Sequence, residues 1–175
     1  MSLFKYFGFE PSQPPAGAPE TETVRKITEA LDRLELEPAR YIAGFAYVLS
    51  RVARADLRIC DAETRAMERI VVEHGKLPEE QAIIVVQIAK TQNRLFGGTE
   101  DFLVTREFNK LASREQKLAL LDCLFAVAAA EGLISSAEDD EIRGICRELQ
   151  LEHRDFIAVR SQYRDHLSVL KPPTE

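Results

Sequence analysis

The sequence predicts an all-α fold, an internally duplicated helical bundle of about seven to eight helices. Apolar residues recur at spacings of three and four from Glu20 to Leu167, which is the period of an amphipathic helix. No stretch alternates apolar and polar residues as a half-buried strand would. The phrase ARADLRICDAE, at 53–63, returns as AAAEGLISSAE at 128–138, and this offset of 75 residues indicates a repeated helical unit.

The chain divides into an N-terminal segment and one helical domain. The first nine residues are rich in apolar side chains, and PSQPPAGAPETE, at 11–22, contains four prolines and is typical of a linker. We therefore expect 1–22 to be an apolar tip with a Pro-rich linker and 23–170 to be the helical domain. The tip is expected to fold back over a groove of the domain, and the alternative is a docking or membrane-touching peptide.

Local signals place the helices in order along the domain. Gly75 is expected to end a helix in a left-handed conformation. Ser113 and Gln116 have the spacing of a capping box, which predicts the start of a strong apolar helix. The expected helices lie at about 24–34, 38–55 and 61–74, from Pro78 through Ile88, at 99–111, from Ser113 through Ala128, and at 136–149 and 152–167.

The charge and the apolar content of the chain narrow the class of protein to which it can belong. The 175 residues carry a formal net charge of −6, which disfavours a nucleic-acid binder, because such proteins normally present a basic surface. No stretch approaches the ~20 apolar residues of a membrane span, and the start lacks the features of a signal peptide. We therefore expect a cytoplasmic protein without a direct membrane span.

The cysteines and histidines give no sign of a zinc or disulfide site. Cys60, Cys123 and Cys146 form no CxxC pair, and we interpret them as small apolar residues of the core. The three histidines have no HxxxH spacing and are interpreted as surface or capping residues; they are His74, His153 and His166.

The repeat is visible over 25 aligned positions, 49–73 against 124–148, without a gap. The repeats are expected at about 38–92 and 113–167, and they should pack on each other because one helical hairpin cannot bury both faces. The acids of the two turns would then converge. Nine positions are identical in the two copies: Leu49/Leu124, Val52/Val127, Ala53/Ala128, Ala55/Ala130, Ile59/Ile134, Ala62/Ala137, Glu63/Glu138, Ile70/Ile145 and Glu73/Glu148.

The acids of the two turns have two open interpretations. An EF-hand calcium loop is rejected, because its first and third positions would be Val127 and Ala129, which carry no carboxylate. The first interpretation is structural: Ser135 and Glu138 have the spacing of a capping box. The second is a cation site, since hard cations prefer clustered oxygen ligands. Its candidate ligands are Asp56, Glu63, Glu131 and Glu138.

At these turns the chain resembles the TerB-like family, the tellurite-resistance protein B group, whose motif is close to A-[DE]-G-x-[IL]-x-x-x-E. The second copy, AEGLISSAE, fits the motif, and the first, ADLRICDAE, has Leu57 in place of the glycine. The resemblance covers roughly residues 40 to 167. It implies an all-helical, duplicated bundle with divalent metal at the motif acids, which are the four candidate ligands named above.

The resemblance also implies a cellular setting. Members of the family are associated with tellurite and other stress responses, and they are thought to work in the cytoplasm with integral membrane partners at the inner membrane. We therefore expect a non-enzymatic stress-associated module that binds a divalent cation (calcium, magnesium, manganese or zinc), protein partners, or both. One alternative is an interaction scaffold whose acids only cap helices.

The other alternative is a carboxylate di-metal enzyme. The Glu-x-x-His pairs typical of such sites are absent from this chain. It also has no GxSxG, phosphate loop or known Cys–His catalytic signature. No catalytic residue is therefore expected.

Overall fold

The computed structural model of the protein describes residues 29–52, 61–92, 101–130 and 132–170. Residues 29–32 are helical, and seven α-helices and two short 3-10 helices follow in the described ranges. The seven helices are α1 (Leu36–Val52), α2 (Asp61–Glu73), α3 (Glu79–Gln92), α4 (Asp101–Leu111), α5 (Arg114–Ala130), α6 (Ser136–Glu148) and α7 (His153–Gln162). The described residues contain no strand, so the predicted all-α class is confirmed.

The bundle is organised around α1 and α5. Helix α1 packs against α3, α4, α5 and α6, while α5 packs against α1, α2, α6 and α7. Twelve of the seventeen residues of α1 are buried, as expected of a helix that is surrounded by others. One continuous apolar core joins both halves of the chain, and its largest members include Phe45, Phe108, Phe125 and Phe156.

Two glycines bring elements together because they lack a Cβ atom. A Cβ on Gly44 would lie 2.7 Å from Cδ2 of Phe108, so the glycine allows α1 and α4 to approach closely. A Cβ on Gly75 would lie 2.8 Å from Cζ of Phe45.

The prediction that Gly75 takes a left-handed conformation was wrong: Lys76 has the positive φ, at 57°.

The end of the domain departs from the prediction. Helix α7 was expected to reach Leu167, but it ends at Gln162, and two 3-10 turns follow (Arg164–His166 and Ser168–Leu170). The reason is tertiary, because Leu167 forms an isolated parallel bridge with Ile134 and the chain must turn to reach it.

The helix boundaries agree with the predicted repeat without testing it. Helices α2 and α6 each have 13 residues, and they begin 75 residues apart. The duplication itself, the division of the domain at 23–170 and its repeats stay predictions. The tip and linker at 1–22 lie outside the described residues. In the described ranges, no helix combines the length and the apolar character that a bilayer crossing needs.

Candidate functional site

The structure describes one of the four predicted metal ligands in full. Glu138 is the third residue of α6, and its side chain is half-buried. Glu63 lies in α2, but its side chain is outside the described part. Asp56 and Glu131 lie outside the described residues altogether. Whether the four acids converge therefore stays a prediction.

Glu138 forms the predicted capping box with Ser135. The Ser135 N–H and Oγ donate to the same carboxylate oxygen, Glu138 Oε2, at 2.8 and 2.7 Å. The Glu138 N–H donates back to Ser135 Oγ at 3.2 Å. The box satisfies the backbone N–H groups of Ser135 and Glu138, which would otherwise lack a partner at the start of α6, and this is how such caps stabilise helices. The structural interpretation of Glu138 is confirmed, and the described residues make no hydrogen bond to its second oxygen, Oε1.

Glu138 differs from the other acids of α6 in its electrostatic surroundings. The remaining four acids of the helix form ion pairs with arginines: Asp139 with Arg143 and Arg160, Asp140 with Arg143, and Glu141 and Glu148 with Arg51. Within the described part of the chain, Glu138 has no such partner. This half-buried carboxylate is therefore the acid of α6 that could accept a cation without losing an existing ion pair.

The turn before Glu138 is tied to the end of the chain. Gly132 has a φ of 123°, which L side chains rarely adopt. The N–H of Ile134 donates to the His166 carbonyl at 2.7 Å, and the N–H of Ser168 donates to the Ile134 carbonyl at 3.0 Å. The turn is thus held in one conformation by contacts more than thirty residues away, so Glu138 is presented from a preorganised backbone.

A second polar cluster, centred on Arg51, joins α1 to α4 and α6. The guanidinium donates to both oxygens of Glu148, at 2.6 and 3.2 Å, to Glu141 at 2.8 Å, and to the Thr105 hydroxyl at 2.8 Å. Burial alone would lower the pKa of Arg51, but its hydrogen bonds and the nearby charges of Glu148 and Glu141 outweigh burial and raise that pKa. Since all of these groups satisfy one another, the cluster is structural.

A third cluster, which the sequence analysis missed, links α5, α7 and the end of α2. His74 Nδ1 lies 2.8 Å from Asp122 Oδ2, and the Tyr163 hydroxyl donates to Asp122 Oδ1 at 2.7 Å. Burial and this bond to Asp122 raise the pKa of Tyr163. His74 was interpreted as a surface or capping residue, and instead it is half-buried in a polar contact. Asp122 could have been identified from the sequence as a buried polar contact, because it is the single acid within the apolar run 118–130.

The two cysteines that the structure describes are buried and free, as predicted for core residues. Burial raises the pKa of both thiols, that of Cys146 to about 11. Neither therefore provides a thiolate near neutral pH, and a thiolate is the form that binds metals or attacks substrates.

The described residues hold no group of three or more metal-binding side chains. Among the predicted ligands they contribute one carboxylate oxygen, Oε1 of Glu138, which suits a hard cation such as calcium or magnesium. The other three candidates are the remaining motif acids, whose side chains are outside the described part.

Comparison with known proteins identifies the family. No curated protein and no solved structure gives a significant match to the chain. The family model described as tellurite resistance protein TerB matches residues 42–161, which is more than half of the chain and runs from α1 to α7. The described parts of the matched region form an all-α bundle, and the sequence AEGLISSAE supplies the family motif between α5 and α6, so the chain belongs to the TerB family of tellurite resistance proteins.

Proposed function

We propose that this chain is a non-enzymatic, tellurite-resistance-like binding module that takes a divalent cation at the turn between α5 and α6. The observation behind the proposal is that the Glu138 carboxylate forms no ion pair with any arginine that the structure describes. It is the one acid of α6 without an arginine partner among the described residues, although its side chain is half-buried. A carboxylate at the edge of a core is costly without a counter-charge, and a bound cation would supply it.

The hydrogen bonds of the capping box are compatible with the same role. Both donors from Ser135 use Oε2 of Glu138, so Oε1 stays available as a ligand. Glu131 belongs to the same turn, and Asp56 and Glu63 are the proposed ligands from the first copy of the motif. Calcium, magnesium, manganese and zinc are the candidate ions, and oxygen-only ligands favour the first three over zinc.

The alternative function is a protein-interaction scaffold in which the acids only cap helices. The complete capping box at Ser135 and Glu138 is the observation that favours it. The two functions differ in one measurable respect: the stability of a cation site rises when the ion is added, whereas the stability of a scaffold whose acids only cap helices does not.

The test is a thermal-shift titration of the chelator-treated protein with each of the four ions, for the wild type and for Glu138→Gln. Glutamine keeps an oxygen that can accept the two Ser135 bonds, so the cap is preserved while the charge is lost. An ion at about 100 times its dissociation constant should stabilise the wild type by about 2.7 kcal/mol. This stabilisation should be largely absent in Glu138→Gln.

The matched control is Asp140→Asn, two residues further along α6, where the side chain is exposed and paired with Arg143. It should respond to the ion as the wild type does. If no ion stabilises the wild type, or if Glu138→Gln keeps the full response, the cation function is wrong and the scaffold is favoured.

The cellular part of the proposal is a stress-associated role in the cytoplasm, in contact with integral membrane proteins at the inner membrane. Its support is the TerB family assignment. A strain that lacks the gene should tolerate tellurite less well, and the wild-type chain should restore growth. If the Glu138→Gln variant also restores growth, the stress-associated role does not depend on cation binding at Glu138.

A further inference from the structure

An apolar groove is lined in part by Gly75. It has a volume of about 570 Å³ and is formed by the first turns of α1 and α5, the end of α4 and the turn between α2 and α3. This volume lies within the range of sites that bind ligands or short segments. The apolar lining consists of Pro38, Tyr41, Leu77, Pro78, Leu111 and Ala119.

One residue that lines the groove, Tyr41, is held by aromatic packing. The ring of Tyr41 stacks on that of Phe108, with centroids 5.3 Å apart and an interplanar angle of 27°. Phe108 is completely buried and contacts Gly44 of α1, so this ring position is set by the core. The groove therefore presents a preformed apolar surface.

The charged residues at the groove are more acidic than basic. Glu37 and Glu115 line it with one cationic side chain, Lys76. The Lys76 ammonium donates to the main-chain carbonyl of Glu73. An occupant with apolar side chains and a positive charge would complement this lining.

We propose that the groove is occupied by residues 1–9 of the same chain. This segment combines five large apolar side chains with one cation, Lys5, and it has no acid. Its composition thus matches the apolar lining and the excess of carboxylates. The five apolar residues are Leu3, Phe4, Tyr6, Phe7 and Phe9.

The connecting segment is long enough for this contact. The described part of the chain begins at Glu29, eight residues before Glu37 at the groove, which limits their separation to about 29 Å even for a fully extended chain. Residues 10–23, which include the Pro-rich linker, would have a root-mean-square span of about 21 Å as a flexible chain, and the helix expected from Val24 adds about 1.5 Å per residue. Binding within one chain also benefits from an effective concentration in the millimolar range.

The absence of tryptophan from the chain allows a direct test. Phe7→Trp in the full-length protein introduces a single reporter in the proposed occupant. The expected emission is that of an indole shielded from water. Adding Ala119→Arg, which fills the groove and repels Lys5, should shift the emission to that of a solvated indole. Ala158→Arg, on an exposed position of α7, is the matched control and should leave the emission unchanged.

A second variant guards against damage to the fold by Ala119→Arg. Phe4→Ser in the Phe7→Trp protein changes the proposed occupant alone and should cause the same red shift at an unchanged melting temperature. Emission typical of a solvated indole in the Phe7→Trp protein without a further substitution would overturn the proposal. An equal emission shift on adding Ala119→Arg and on adding Ala158→Arg would overturn it too. Loss of the shielded emission on dilution, with a dimeric mass in light scattering, would assign the groove to a second copy. A blue shift that needs phosphatidylglycerol vesicles would assign the tip to a membrane; either result would overturn the proposal.

Discussion

Arg51 and Glu148 form a two-pronged ion pair between α1 and α6, across 97 residues of sequence. The Nη1–Oε2 and Nη2–Oε1 distances are 2.6 and 3.2 Å. The Arg51 side chain is 6% exposed and that of Glu148 is 21% exposed, so the pair is largely removed from water. Because Arg51 also binds Glu141 and Thr105, one guanidinium joins three helices immediately before the first motif turn.

Arg51→Leu should strongly destabilise the protein. The substitution leaves Glu148 and the partly buried Glu141 without their counter-charge, and removing one member of a buried pair costs about 3 kcal/mol or more. Urea denaturation measures the loss. The control is Arg154→Leu, where an exposed arginine pairs with exposed Glu152 and the cost should stay below about 1 kcal/mol. Equal losses in the two variants would mean that burial of the Arg51 cluster contributes nothing.

Gly44→Ala should destabilise the protein, whereas Gly144→Ala should stabilise it. The first substitution forces a Cβ to 2.7 Å from the buried Phe108 ring, and overpacking of this kind costs about 1–3 kcal/mol. The second lies within α6, where a Cβ would meet nothing within 4 Å, so alanine should contribute about 0.5–1 kcal/mol through its helix propensity. Thermal unfolding of both variants checks the opposite signs, and a shift of the same sign in both would contradict the packing argument.

Ser135→Ala should reduce stability by about 1 kcal/mol, because it removes the hydroxyl that caps α6. The neighbouring Ser136 is exposed and already inside the helix, so Ser136→Ala should change stability by less than about 0.5 kcal/mol. Chemical denaturation in a metal-free buffer measures the contribution of the cap to stability without that of any bound ion. If the two serines prove equivalent, the hydroxyl of Ser135 does not stabilise the helix.

Stability should fall as the pH rises from about 10 to 12. Burial raises the pKa of Tyr41 to about 12, against 10.0 for an ordinary tyrosine, and burial with Asp122 raises the pKa of Tyr163 in the same direction. The folded chain thus favours the protonated phenols, so their contribution is complete below pH 10 and is lost as the pH approaches the folded pKa values. Urea midpoints at pH 9 to 12 measure this fall. Tyr41→Phe should make it shallower, and an unchanged slope would contradict the assignment.

Several local features were predictable because their causes lie within one or two helical turns. The period of the apolar residues and the caps placed α2 at 61–74 and α6 at 136–149, within one residue of the observed ends. The capping boxes of Ser113 with Gln116 and Ser135 with Glu138 were predicted from a spacing of three residues, and both are present. These interactions need no information about the rest of the fold.

The sequence alone therefore determined the all-α class, most helix limits, the TerB resemblance and the cap at Glu138. The tertiary structure decided how α7 ends, how Lys76 rather than Gly75 takes the left-handed turn, and which partners meet in the Arg51 and Asp122 clusters. The physical reason is range: periodicity and caps act between near neighbours, whereas the bridge of Ile134 to Leu167 and the pairing of buried charges depend on how distant helices pack.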